Sequence, residues 1–194
     1  MLNYKIKRIM DIIGAGSAII IFMPLMLLIA LMIKLTSKGP VIFRQERVGL
    51  NSKKFVMYKF RTMKVQNSEE EMVRWTRKGD PRVTPIGRIL RRMSLDELPQ
   101  LLNVLQGDMS LVGPRPERPY FVEKFRKEIP GYMEKHDVRP GLTGWAQING
   151  YRGDTPIDKR VEYDRYYIEN RTIWFDVKII ILTIFKGFIN KNAY

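Results

Sequence analysis

Residues 12–33 read IIGAGSAIIIFMPLMLLIALMI, 22 consecutive residues without a charge, held between Asp11 and Lys34. At about 1.5 Å of rise per residue, an α-helix of this length reaches across a bilayer core of roughly 30 Å. A soluble chain of 194 residues has little interior in which to hide so uniformly apolar a helix. The segment is therefore expected in a membrane. It is too long for the apolar part of a cleaved signal, and LTSKGP after it offers no small-residue cleavage site.

Pro24 stands at the centre of this run, where it removes a backbone donor and kinks a helix. Both flanks are basic, with Lys5, Lys7 and Arg8 before and Lys34, Lys38, Arg44 and Arg47 after. Positive flanks stay on the cytoplasmic side, so both ends belong on one face. A re-entrant helix hairpin broken at Pro24 meets that demand, and a kinked span is the alternative. Ser17 and Ser37 lie too far along the chain to satisfy the carbonyls freed at the bend.

The rest of the composition narrows the chemistry. Lys and Arg total 34 against 20 acids, a net charge of +14, which implies an anionic partner: nucleic acid, anionic lipid or a phosphorylated small molecule. With no cysteine, disulfides, thiolate nucleophiles and cysteine-held zinc are excluded. The single His136 cannot build a histidine metal cluster, so a metal here is a hard ion on oxygen ligands, with magnesium the default. There is no internal repeat, P-loop, G-x-G-x-x-G or H-E-x-x-H.

VIFRQER (41–47) and KFVMYKFR (54–61) around GLNSK read as a β-hairpin. The charged stretch Thr62 to Asp80 reads as loop plus a polar helix. In VTPIGRILRRM, Thr84 caps a helix, Pro85 takes its first position, and Ile86, Ile89, Leu90 and Met93 form one apolar face. Arg88, Arg91 and Arg92 spread over the remainder, so at least one points towards Asp96.

SLDELPQLLNVLQGDMSLVGPRP (94–116) follows. Ser94 to Glu97 matches a capping box, in which the acids only stabilise a helix start. Pro99 argues for a helix that begins with the proline in its first turn, leaving Asp96 and Glu97 at or before an anion-friendly N-terminus. On these residues alone, capping and catalysis stand level. Prolines on both sides of Arg115 fix its guanidinium, and a fixed fork suits bidentate contact with phosphate. RPGLTGWAQING (139–150) is either a loop that approaches a ligand by its backbone or a tight turn. Asp158 to Tyr167 reads as a charged helix. Trp174 to Ile189 reads as a helix that is core on one side and, in one version, interfacial on the other.

Together KRIMD, GPVIFRQERVG, YKFRTM, DPRVTPIGRILRRMSLDELPQLLNVLQGDMSLVGPRP and RPGLTGWAQING resemble the bacterial monotopic phosphoglycosyl transferases, in the same order and over nearly the whole chain. The resemblance implies an α+β domain on the cytoplasmic face of the bacterial inner membrane, with a membrane helix in 1–38 and a catalytic part in 39–194. It implies that Asp96 attacks the β-phosphorus of a UDP-sugar, expels UMP and carries the sugar phosphate until undecaprenyl phosphate takes it. Glu97 is then the second member of the dyad, holding Mg2+ with Asp96, and Lys59, Arg91 and Arg115 are on the phosphates. Arg88 and Gln147 are further candidates. Some small family members have serine before the hairpin proline, where this chain has Met23. The ending resembles members that transfer glucose 1-phosphate in exopolysaccharide assembly; those are usually longer, and the chain resembles their catalytic part. UDP-glucose is the first expectation, then UDP-galactose, then an N-acetylated UDP-sugar.

The expected partners are thus UDP-sugar, undecaprenyl phosphate and membrane lipid, and not nucleic acid. A homodimer is compatible with the apolar surface and not demanded by it. A non-catalytic basic membrane module explains the charge but leaves Asp96 and Glu97 without a role. A UDP-sugar hydrolase would have no use for the apolar segment.

Overall fold

A computed structural model describes residues 4–64, 79–153 and 155–187. Most of the charged stretch expected between Thr62 and Asp80 lies outside the described residues. The element order is α1 (Tyr4–Thr36), β1 (Ile42–Val48), β2 (Lys54–Phe60), α2 (Pro85–Arg92), α3 (Gln100–Gln106), β3 (Ser110–Val112), α4 (Pro119–Glu128), β4 (Gly141–Thr143), α5 (Trp145–Ile148), α6 (Ile157–Asn170) and α7 (Ile173–Gly187). The expected α+β class holds.

Pro24 does not end the first helix. α1 runs as one element of 33 residues with Pro24 inside it. Helices tolerate proline where neighbouring turns take up the freed carbonyl. α1 is long and apolar enough to cross a membrane. Packing divides it in three. Ala15 joins Met57, Leu101, Val104 and Met109 in one core cluster. Ile29 and Ile33 join Phe60, Ile86 and Leu90 in another. Between them, Ile20, Ile21, Phe22, Met23 and Pro24 are all exposed, so this turn has no buried face. Both arms of α1 are thus built into the core while its central turn is exposed.

β1 and β2 form the expected antiparallel hairpin, in register from Ile42 opposite Phe60 to Val48 opposite Lys54. Met57 and Lys59, two apart, share a face of β2 as the strand period requires. α2 starts as its sequence demands: Thr84 Oγ1 accepts from the Gly87 amide at 3.0 Å and Pro85 stands at the first position. Its apolar face is only half used, because Ile86 and Leu90 are buried while Ile89 and Met93 are exposed. Gly87 is required where α2 crosses the second residue after β2; a Cβ there would stand 2.1 Å from the Thr62 carbonyl oxygen.

Gly141 and Gly144 of RPGLTGWAQING serve close backbone packing. β4 pairs in parallel with β3, and a Cβ on Gly141 would lie 2.1 Å from the Gly113 nitrogen. This holds the segment leading into Pro114-Arg115-Pro116 against the loop. α6 is the expected charged helix, and α7 buries Asp176 and Ile179 while exposing Trp174, Ile181, Ile184 and Phe185.

Candidate active site

Asp96 and Glu97 occupy a single 3-10 turn, Leu95–Glu97, ahead of α3. Ser94 before them is left-handed, at φ 56°, and makes no side-chain cap; Pro99 precedes the helix proper. The capping-box geometry is therefore absent, and both acids are buried. Acids that only cap a helix sit in water, so their burial needs another reason.

Glu97 is held from two sides. Its Oε1 accepts from Lys59 Nζ at 2.8 Å and from an Arg115 terminal nitrogen at 2.7 Å, and Oε2 lies 3.4 Å from the other. Burial would raise its pKa, but Arg115 and Lys59 outweigh that and hold the carboxyl well below the usual range. Glu97 in turn raises Arg115, while burial lowers Lys59 against the pull of Glu97.

Asp96 differs. Among the described residues its carboxylate accepts no hydrogen bond and meets no cation within 4 Å. Burial raises its pKa, with Lys59 pulling the other way and Glu97 adding to the rise. Two adjacent carboxylates are thus pushed apart, one fixed and ionised, the other uncommitted. Such divergence is what a site needs when one acid must react and the other must hold charge in place.

Three elements set this arrangement. Lys59 is delivered by β2. Asn103 of α3, fully buried, accepts from the Tyr58 amide at 3.0 Å through Oδ1 and donates to the Val56 carbonyl at 2.7 Å, so it pairs with β2 as a strand would. That bond locks the helix beginning at the acids to the strand carrying the lysine. Arg91 is positioned by Nε donating to Thr62 Oγ1 at 2.8 Å, and burial lowers its pKa against the attraction of Asp96. Arg115 is braced from behind. Arg47 donates to the Pro116 carbonyl at 3.1 Å, and buried Glu117 accepts from Arg160 at 2.9 Å and from Arg47 at 3.4 Å. Burial and Arg115 together lower the Arg47 pKa to about 10, against the pull of Glu117.

Lys59, Arg91 and Arg115 therefore converge on the acids, although Arg115 binds Glu97 here. Arg88 is exposed on α2. Gln147 is buried in its own loop, donating to the Leu142 carbonyl at 3.3 Å. Among the described residues, neither forms a hydrogen bond or ion pair with Asp96 or Glu97. Sequence reasoning missed Arg152, whose guanidinium donates to Ser94 Oγ at 3.2 Å and acts on the Glu97 charge. It also missed Asn103, Glu117 and Arg160; a lone asparagine in LLNVL was the one available signal. His136 is buried, its pKa lowered to about 4 by that burial, and is not part of this cluster.

The donor set bears on magnesium. No group of three or more acidic or histidine ligands exists among the described residues. Asp96 has both oxygens uncommitted and Glu97 has one lightly used, while magnesium takes one or two carboxylates with phosphate and water completing an octahedron. The residues fit a substrate-borne Mg2+ and not a dedicated all-protein cage.

A buried carboxylate pair ringed by ammonium and guanidinium groups is an arrangement that can hold and polarise an anionic group. The chain belongs to the bacterial sugar transferase family, whose model matches residues 2–190. It is 51% identical over 196 residues to an Escherichia coli (strain K12) protein named UDP-glucose:undecaprenyl-phosphate glucose-1-phosphate transferase, covering 99% of this chain and 42% of that one. It is 52% identical over 181 residues to an Aeromonas hydrophila UDP-N-acetylgalactosamine-undecaprenyl-phosphate N-acetylgalactosaminephosphotransferase, covering 92% of this chain and 43% of the relative. It is also 44% identical over 192 residues to the Rhizobium leguminosarum bv. phaseoli exopolysaccharide production protein PSS, covering 94% of this chain and 95% of that protein. The chain thus spans less than half the length of the first two relatives.

Proposed function

We propose that this chain transfers a sugar 1-phosphate from a UDP-sugar to undecaprenyl phosphate, releasing UMP, and so begins assembly of an exopolysaccharide. The observation that carries the proposal is the uncommitted, buried Asp96 carboxylate beside a Glu97 fixed by Lys59 and Arg115. An Asp96 oxygen attacks the β-phosphorus, the bond from that phosphorus to the bridging oxygen breaks, and UMP leaves with the electron pair. A phosphate oxygen of the lipid then attacks the same phosphorus and Asp96 is released as carboxylate. Lys59, Arg91 and Arg115 allow two anions to meet, and positioning with charge stabilisation supplies most of the rate. When bound, Mg2+ on Asp96 and Glu97 would neutralise diphosphate charge.

UDP-glucose is the preferred donor, supported by the E. coli relative's name. N-acetylgalactosamine appears in the Aeromonas name at nearly the same identity, so overall identity does not choose the sugar. UMP release from a panel of UDP-sugars with magnesium, with and without polyprenyl phosphate, tests the reading. Lipid-dependent release fastest with UDP-glucose supports it. Sustained release without lipid points to a hydrolase, and no release from folded protein with any sugar sinks the catalytic reading.

The membrane part is that α1 enters and leaves the cytoplasmic face of the inner membrane, bending at Pro24. Basic residues at both ends, packing of both arms on the body and the exposed 20–24 turn support it. The chain has no cysteine, so single cysteines at Lys5 and Lys38 report topology cleanly. Labelling of both from the same side of sealed vesicles is expected; labelling from opposite sides means a span.

A further inference from the structure

Away from the acids, the foot of α1 borders a cleft lined by Tyr4, Lys7, Arg8, Asp11, Arg139 and Arg171 among others. Lys7 is neutralised there, donating to Asp176 at 2.6 Å. Asp11 is occupied, accepting from Ser110 Oγ and the Leu111 amide, each at 2.9 Å. Among the described residues, the three arginines have no ionised partner. Arg8 donates to the Val104 and Leu105 carbonyls at 2.5 and 2.7 Å, Arg139 Nε to the Gly107 carbonyl at 2.9 Å, and Arg171 to Tyr4 Oη at 2.8 Å. All these acceptors are neutral oxygens. Among the described residues, no carboxylate lies within 4 Å of any of the three guanidinium groups.

Each guanidinium has five donors in a planar fork. Arg139 spends Nε, which leaves both terminal nitrogens, and Arg171 spends one terminal nitrogen. Arg139 and Arg171 are half-buried, so their charge is partly shielded from water without being cancelled. The level of the cleft is also marked. Exposed Ile6, Ile9, Ile12 and Ile13 of α1 begin beside it, and Trp174, 82% exposed, follows Arg171 by three residues. Aromatic residues at the edge of an apolar band lie at headgroup depth.

We infer that this cleft binds a phosphate group at the membrane boundary, that of an anionic phospholipid headgroup, through Arg139 and Arg171 with Arg8 behind them. The inference rests on the membrane seating of α1 proposed above. It concerns a site separate from Asp96 and Glu97, with which the cleft shares no lining residue. The bound lipid would fix the helix foot at a set depth through a bidentate contact.

The test compares three full-length proteins in neutral detergent: wild type, Arg139→Gln/Arg171→Gln, and Lys124→Gln/Lys127→Gln, which removes two exposed charges from α4. Each is titrated with dihexanoyl phosphatidylglycerol and, separately, with inorganic phosphate. The arginine pair is expected to weaken phosphatidylglycerol binding about tenfold, and the lysine pair less than twofold. Equal weakening by both pairs, or none by either, overturns the site. Phosphate binding as tightly as the lipid, and lost in the same variant, keeps the phosphate chemistry and overturns the lipid as its source. Flotation on neutral phosphatidylcholine vesicles reports membrane seating by itself: all three proteins should float, and failure there refutes the seating while leaving the titration readable.

Discussion

Two buried charge clusters in this chain use the same side-chain chemistry and come out differently. At the foot of α1, Lys7 donates to Asp176 and to the Val112 carbonyl, and Tyr167 Oη donates to the other Asp176 oxygen at 2.7 Å. Both oxygens of that buried carboxylate have partners. At the candidate site Glu97 has the same saturation, but Asp96 next to it has none. A saturated buried network costs little to keep and does nothing further; an unsaturated one stores a cost that a ligand or a reaction can relieve. The contrast separates an anchor from the proposed reactive site without appeal to motif.

Asp96→Asn breaks the comparison most severely. Removing the proposed nucleophile is expected to lower turnover by roughly 10^4-fold. Because it also removes an unpaired buried charge beside Glu97, thermal unfolding at neutral pH should show a gain of about 1 kcal/mol. Asp176→Ala should do the reverse. It leaves Lys7 without its counter-ion and Tyr167 without its main acceptor, at a cost of about 4 kcal/mol in denaturant melts. Turnover per folded molecule should change little.

Arg115→Lys sharpens the contrast within the site. A lysine keeps charge but not the fork that grips Glu97, and a fall in kcat of about a hundredfold is expected, with a melt shifted far less than for Asp176→Ala. The smallest effect is in pH. Asp96 has a raised pKa, so its protonated form is favoured by folding. Its contribution to stability is present at low pH and lost as pH rises through the folded value. Glu97 has the opposite sign, its contribution present above the ordinary carboxylate pKa and lost only in stronger acid. Turnover should therefore rise with pH through a value above that of a normal aspartate, and Asp96→Asn should remove the acid-side gain in melting temperature.

What the sequence revealed was local. Thr84 with Pro85, the GLNSK hairpin and the displacement of the acids from a helix by Pro99 all depend on neighbours within a few residues, and each is as expected. The partners of Glu97 are 38 and 18 residues away, and Lys7 finds Asp176 across 169. No periodicity encodes such pairings. Arg88, Arg91 and Arg92 look alike on a helical wheel, and only the tertiary position of Thr62 selects Arg91. Pro24 was visible as the centre of the apolar run, but which turns of α1 pack on the body was not. Asn103 was visible as a polar residue in an apolar helix, yet its strand-like pairing with β2 needs the two elements side by side.

The central claim is that Asp96 carries the transferred group. The direct measurement is intact and peptide mass spectrometry of the protein mixed with UDP-glucose and magnesium in the absence of any lipid acceptor. A mass gain equal to one sugar phosphate on the peptide containing Asp96, absent in Asp96→Asn and discharged by polyprenyl phosphate, is the predicted result. Lipid-dependent UMP release that continues undiminished in Asp96→Asn, with no adduct in either protein, would contradict it.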